Sequence, residues 1–434
     1  MRLLHALTRL AGAAAVGAAV LFAPLPQAAT PASAERPFVY GVTIADASAA
    51  PGHGFDMARR AGFTHAYVVL DWQSVSPSRG TFAWDQGRAN DLDNFLTAAR
   101  AHGLRLIVRL GKPASWAGAP AQLSSADMES FAAGVAARAR GVATAYEVLN
   151  EPNLSYEWGA TPDAAGYARL LAAARRGIKR ADPDALVISA GLAPHTGNAP
   201  GTIEDVDFLR GVYAAGGRGT FDALGIHPYG GNSAPDTDPS SCGICFRRAE
   251  AYRAVMVEQG DSATPAWVTE FGYLHTTGTD LGQYNWLKLS PEQQASYLSG
   301  AFRYGYEQWP WLTGMVAFNM DFDTVPWNPS TLGAYWFSLL NPDRSPRPVY
   351  GAMRDLPKPG ASAPLPVSVA STSTTTTTST TSTTNSAPAP VPASKPVAAP
   401  VPAPSVSGAI GDVVCQMRGD TAICGLVGAL LGGR

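Results

Sequence analysis

The chain has 434 residues, 46% of them hydrophobic and 15% charged, and a formal net charge of −2. That is enough apolar material for a large core, and the near-neutral balance excludes an electrostatic case for binding nucleic acid or an anionic membrane surface. Four cysteines fit an oxidising compartment.

Residues 1–34 read as a signal peptide. Arg2 and Arg9 supply the positive region, LAGAAAVGAAVLFA is an apolar stretch short for a membrane span, and Ala32-Ser33-Ala34 offers small residues for cleavage before Glu35. A retained N-terminal anchor is the alternative. No later stretch is long and apolar enough to cross a bilayer, so the expected location is secreted or cell-surface associated.

From 35 to 358 strand-like and helix-like segments alternate. The apolar runs are FVYGVTI (38–44), HAYVVLDW (65–72), LRLIVRL (104–110), ATAYEVLN (143–150), ALVISAGL (185–192), FDALGIH (221–227), AWVTEFG (266–272) and GMVAFNM (314–320). Runs rich in Val, Ile and Leu without strict alternation are the mark of strands buried on both faces. The intervening segments carry helix punctuation. NDLDNFLTAARAHG puts Leu92, Phe95, Leu96 and Ala99 on one face and stops at Gly103. TPDAAGYARLLAAARRGIKRADP predicts an N-cap at Thr161 with Pro162 at the first helical position. SPEQQ places Ser290, Pro291 and Gln293 in a capping box. Eight such alternations favour an α/β fold of the (β/α)8 TIM-barrel type. A doubly wound open sheet is the alternative, but no glycine-rich phosphate loop follows the first strand.

Residues 359–404, with STSTTTTTSTTSTT and Pro/Ala repeats, cannot form a core and read as a disordered Thr/Pro linker. A short Cys-containing segment, 405–434, ends the chain. Cys242 and Cys245 form a CxxC, and Cys415 and Cys424 lie beyond the linker. Two local disulfides fit better than a zinc site joining separate segments.

The strand ends carry the chemistry, because a barrel of this kind builds its site there. Strand four ends in Asn150-Glu151-Pro152, strand six in His227-Pro228-Tyr229 and strand seven in Thr269-Glu270-Phe271. Two carboxylates facing one cleft are what glycosidic cleavage requires: one protonates the leaving oxygen, the other attacks or stabilises the oxocarbenium-like centre. Each glutamate has a plainer reading, Glu151 as a helix cap and Glu270 as a salt-bridge partner. It is the pair that points to catalysis. No His, Asp and Cys cluster has metal-ligand spacing and no Ser/His/Asp order stands out, so neither a metal nor another cofactor is expected.

VLNEPN, GIHPYG and WVTEFGY, in that order, resemble the clan A glycoside hydrolases, family 39 first, with family 5 also close. The resemblance covers most of residues 38–352, including DWQSVSPSRGTFAWD after strand two. It implies that Glu151 is the general acid/base and Glu270 the nucleophile of a retaining double displacement. It further implies that Asn150 bonds the sugar 2-hydroxyl, that Tyr229 donates to Glu270, and that His227 lines the same subsite. Clan members often carry a tryptophan at the end of strand eight. Here Phe318 stands in that stretch, or Trp327 reaches in. Trp72 and Trp116 are further candidate sugar platforms, each with packing as its plainer role. The expected partner is a carbohydrate substrate, with no nucleic acid, no membrane beyond the export signal and a monomeric catalytic domain. A surface carbohydrate-binding protein on a degenerate barrel is the second reading.

Overall fold

A computed structural model describes residues 35–45, 52–84, 91–276, 278–325 and 328–365. The expected signal peptide, most of the linker, the C-terminal segment with Cys415 and Cys424, and Trp327 lie outside the described residues.

The eight expected strands form one parallel sheet: β1 Val39–Thr43, β2 His65–Leu70, β3 Arg105–Leu110, β4 Ala143–Val148, β5 Leu186–Ser189, β6 Leu224–Ile226, β7 Ala266–Phe271 and β8 Leu312–Ala317. A helix follows each: α1 His53–Arg60, α2 Leu92–His102, α3 Ser125–Ala139, α4 Ala164–Ala181, α5 Asp205–Ala214, α6 Ala249–Glu258, α7 Pro291–Gln308 and α8 Pro348–Asp355. Strand order is β5-β4-β3-β2-β1-β8-β7-β6, so the two edges, β5 and β6, are sequence neighbours. They meet through one bridged pair, Ile188 with Ala223, helped by Gly225 N donating to Ser189 Oγ at 3.0 Å. A Cβ at Gly225 would lie 2.1 Å from the Ser189 carbonyl, so this join tolerates only glycine. The molecule is a (β/α)8 barrel.

Except for β3, the strands end earlier than the apolar runs, because the last residues of those runs turn outward into loops, and strand eight also begins earlier. Inside the barrel Val39, Tyr67, Ile107, Ala145, Ile188, Ala223, Trp267 and Val316, one per strand or its edge, form a closed apolar layer. Each large side chain buried there contributes about 1.5–3 kcal/mol. The larger core lies between sheet and helices. α7 begins in the expected capping box at Ser290, and α2 ends at Gly103 in the left-handed region (φ 68°). α4 differs from expectation: its N-cap is Asp163, whose carboxylate accepts from Ala165 N at 3.0 Å, so Thr161 and Pro162 lie outside the helix. Cys242 and Cys245 are joined in a disulfide within the β6–α6 loop. No helix of the described residues is long and apolar enough to cross a membrane.

Candidate active site

The C-terminal ends of β3, β4, β6 and β7 converge on one buried cluster, each by its own device. Along β4, Ala145 points inward and Glu147, two residues on, points inward above it. The chain then turns sharply, with Leu149 and Glu151 both left-handed (φ 67° and 39°). Neither is glycine, so each costs on the order of 1 kcal/mol. The turn is held from outside. Leu149 N donates to Leu110 O and Glu151 N to Gly191 O. Asn153 staples the loop by donating to Ala193 O and Ile203 O while accepting from Ala193 N. This fixed exit explains a proline and two asparagines around the glutamate.

β7 uses a bulge. Between Met315 and Ala317 of β8 the partner advances from Val268 to Phe271, one residue more than regular pairing allows. Strict alternation would send Glu270 outward. The bulge lets both Thr269 and Glu270 reach the interior, Thr269 Oγ1 donating to Glu147 Oε1 at 2.9 Å.

Glu270, 2% exposed, accepts from Arg109 Nη1 at 2.5 Å on one oxygen and from Tyr229 OH at 3.0 Å on the other. Arg109 Nη1 also donates to Asn150 Oδ1 at 2.6 Å, and Asn150 Nδ2 donates to Glu157 Oε1 at 2.9 Å. Glu151 is fully buried. Its Oε1 lies 2.9 Å from His227 Nδ1, and its Oε2 has no hydrogen-bond partner among the described residues. Glu147, also fully buried, accepts from Gly191 N at 2.8 Å and Thr269 Oγ1 on Oε1, and from Tyr67 OH on Oε2. His227 Nε2 stands 3.7 Å from Glu147 Oε1.

Burial is the largest influence on Glu151, Glu147, His227, Tyr67 and Tyr229, and at Glu147 and His227 the neighbours together outweigh it. Burial raises the Glu151 pKa, and the charge of Glu270 adds to the rise against the opposing effect of His227. Glu147 is also desolvated, yet His227, Arg109 and the Tyr67 hydroxyl together hold it below the usual carboxylate range. Burial would lower the His227 pKa, but Glu270, Glu147 and Glu151 push it up to about 10. The phenols of Tyr67 and Tyr229 are driven far above their ordinary value, first by burial and then by the glutamates, so both act as neutral donors.

Glu151, Glu270, Asn150, His227 and Tyr229 are thus brought together as the sequence reading places them. Phe318 is buried at the end of β8, its ring edge-on to Tyr229 at 6.2 Å. Trp72 is a correction. The chain after β2 enters a helical turn, Trp72–Val75, and packs the fully buried indole on Phe131 of α3 at 3.9 Å, so it offers no platform. Trp116 has packing partners rather than contacts with the cluster: Nε1 donates to Ser76 O at 2.7 Å, and the Arg79 guanidinium lies 5.7 Å from its ring. Arg109, Glu147, Tyr67 and Glu157 were not singled out by the sequence. A cleft beside Asn150 and Arg109, walled by Asp71, Lys112, Tyr156 and Glu157, leads out of the cluster.

An eight-stranded barrel with glutamates at the ends of β4 and β7 defines the class, a clan A glycoside hydrolase. More narrowly, the chain belongs to glycosyl hydrolase family 5, whose Cellulase model matches residues 48–302. Among solved structures it is similar to a family 39 glycoside hydrolase from the gut symbiont Bacteroides cellulosilyticus WH2, at 23% identity and TM-score 0.56, covering 74% of this chain and 63% of that one. It is also similar to a glucosidase from Croceicoccus marinus, at 17% identity and TM-score 0.53, covering 74% and 67%. An endo-beta-1,4-glucanase from Xanthomonas axonopodis pv. citri matches at 15% identity and TM-score 0.50, covering 73% and 98%. At these identities the likeness is one of fold, and the chain spans less than two thirds of the family 39 protein. No curated protein matches the chain significantly. The family whose model matches is family 5, the second of the two the motifs resemble.

Proposed function

We propose that the protein is an exported, retaining glycoside hydrolase that cleaves a poly- or oligosaccharide by double displacement, Glu151 serving as acid/base and Glu270 as nucleophile. The observation that carries this is the unequal setting of the two carboxylates. Glu270 accepts from a guanidinium and a phenol, which orient an attacking oxygen. Glu151 is lifted toward its protonated form by burial, with one oxygen left unpartnered to deliver a proton.

In the first step Glu270 attacks the anomeric carbon while the Glu151 proton passes to the departing oxygen. In the second, ionised Glu151 takes a proton from water as water attacks the glycosyl ester and Glu270 is released. Asn150 keeps one amide hydrogen beyond its bond to Glu157, available to a sugar hydroxyl. The family 5 membership favours a β-linked polysaccharide, and the leader in residues 1–34 would place the enzyme outside the cytoplasm.

The test is turnover by purified protein on defined polysaccharides and aryl glycosides, with product length and initial anomer read by NMR. Retention of configuration is expected, and Glu270→Ala should abolish turnover. Inversion, or an active Glu270→Ala protein, refutes the mechanism. Binding without turnover across the panel favours a carbohydrate-binding protein on the same barrel.

A further inference from the structure

The two-carboxylate mechanism leaves one glutamate of the cluster without a task. Glu147 is fully buried, and both of its carboxylate oxygens are already taken up by protein donors. We propose that Glu147 is a positioning residue whose permanent negative charge holds His227 as an imidazolium aimed at Glu151 Oε1, so that the transferable proton of Glu151 resides on Oε2. This rests on the reading of Glu151 as the acid.

The geometry requires it in three steps. Glu147 accepts from Gly191 N, Thr269 Oγ1 and Tyr67 OH, and His227 Nε2, which makes no hydrogen bond among the described residues, faces its Oε1 at 3.7 Å. Gly191 N–H can only donate, the Thr269 and Tyr67 hydroxyls both donate in this arrangement, and His227, Arg109 and Tyr67 all favour the charged form, so Glu147 is a carboxylate here. An ionised carboxylate facing Nε2 keeps a proton there, and the ring's other edge then presents Nδ1–H to Glu151 Oε1 at 2.9 Å. With Oε1 occupied as an acceptor, the acid's own proton has only Oε2, the oxygen with no partner among the described residues.

Remove the Glu147 charge and the ring can exist neutral, with its proton on Nε2. Nδ1 then becomes an acceptor for Glu151 O–H, and the proton meant for the leaving group is trapped between the two side chains. When the acid does fire, its proton moves from Oε2 to the glycosidic oxygen as the C–O bond breaks, and the imidazolium is left beside the new carboxylate. The other groups facing this pair are Tyr67 from β2, Arg109 from β3, Tyr167 from α4, Tyr229 from the β6 end, Tyr252 from α6 and Glu270 from β7. The phenols stay neutral; Glu270 also favours the imidazolium through its charge, but it is ion-paired with Arg109 and forms no ion pair with the ring, whereas Glu147 faces Nε2 directly.

The experiment compares parent, Glu147→Gln, Thr269→Val and Glu151→Gln on 2,4-dinitrophenyl and phenyl glycosides of the sugar the parent cleaves. Dinitrophenolate leaves without a proton and phenolate leaves poorly without one. For Glu147→Gln, kcat/KM on the phenyl glycoside should fall by roughly 10–100-fold, with the dinitrophenyl value within about threefold of the parent. The pH at which the His227 imidazolium loses its proton should move down. Thr269→Val, which removes one of the donors to Glu147, should shift both readouts the same way but less, and it serves if Glu147→Gln does not fold. Substrate-free 15N spectra of histidine-labelled protein, assigned with His227→Gln, should show His227 as an imidazolium at pH 8 in the parent and neutral in Glu147→Gln. Equal loss on both substrates, or an unchanged imidazolium, overturns the proposal. If Glu151→Gln does not separate the two leaving groups, the acid assignment fails instead, and the spectra still decide the Glu147–His227 relation.

Discussion

Arg109 and Glu270 are 6% and 2% exposed, and their contact is the sole place where Glu270 meets a guanidinium among the described residues. Arg109→Met keeps an unbranched apolar stem and removes the guanidinium and its charge. Glu270 Oε1 and Asn150 Oδ1 both lose the donor they share. A buried carboxylate deprived of its partner costs about 3–5 kcal/mol. The nearby imidazolium of His227 relieves part of this, so the expected loss is about 3 kcal/mol, or a Tm lower by roughly 4–5 °C for a folded unit of this size. Screening does not reduce the figure much at this depth. Urea unfolding at pH 7, followed by tryptophan fluorescence, measures it. In the double variant Arg109→Met/Glu270→Gln the lone charge is gone, so stability should return by about 2 kcal/mol relative to the sum of the single changes. Additive single effects, or a loss under about 1 kcal/mol for Arg109→Met, would refute the claim that the site is a desolvated ion cluster.

Two further outcomes follow from other contacts. A Cβ at Gly191 would lie 2.1 Å from the His227 ring, so Gly191→Ala should displace that ring and lower kcat by at least about tenfold; a crystal structure of the variant with His227 unmoved would contradict this. His65 is buried between Thr64 and Thr144, and burial, with Arg105 adding to it, depresses its pKa to about 3. Its contribution to stability is therefore present above about pH 6.5 and is lost as pH falls toward 3, since the unfolded chain binds the proton first. Between pH 7 and about pH 4 the parent should lose about 3 kcal/mol more than His65→Gln in chemical denaturation, and parallel losses would count against a neutral buried imidazole.

How much of this was legible depends on which side of a strand a residue occupies. Glu151, His227 and Glu270 stand where an apolar run gives way to polar residues, so the break itself marks them. Glu147 and Arg109 lie inside runs buried on both faces, where no alternation separates barrel interior from helix-facing side. Their signal was present in ATAYEV and RLIVRL: a charge enclosed by such a run needs an opposite charge, and each spaces two residues from an interior position, Ala145 and Ile107. Trp72 was misplaced for a related reason. It directly follows β2, but a helical turn beginning there swings its indole outward, and nothing in DWQSV announces that turn. The bulge that brings Glu270 inward is equally silent, because it arises from pairing with β8 and not from local sequence.

The loosest join of the barrel has a bearing on durability. Gly191, just past β5, binds Glu147 and Glu151 through its own backbone, and His227, just past β6, completes the support of Glu151. The scaffold of Glu151 therefore straddles the one neighbouring strand pair that shares a bridge instead of a ladder. Partial opening starts where the fewest bonds must break. If that join is the first to open on heating, activity is lost before the remaining ladders melt, and residual turnover should fall ahead of the circular dichroism signal along one heat ramp.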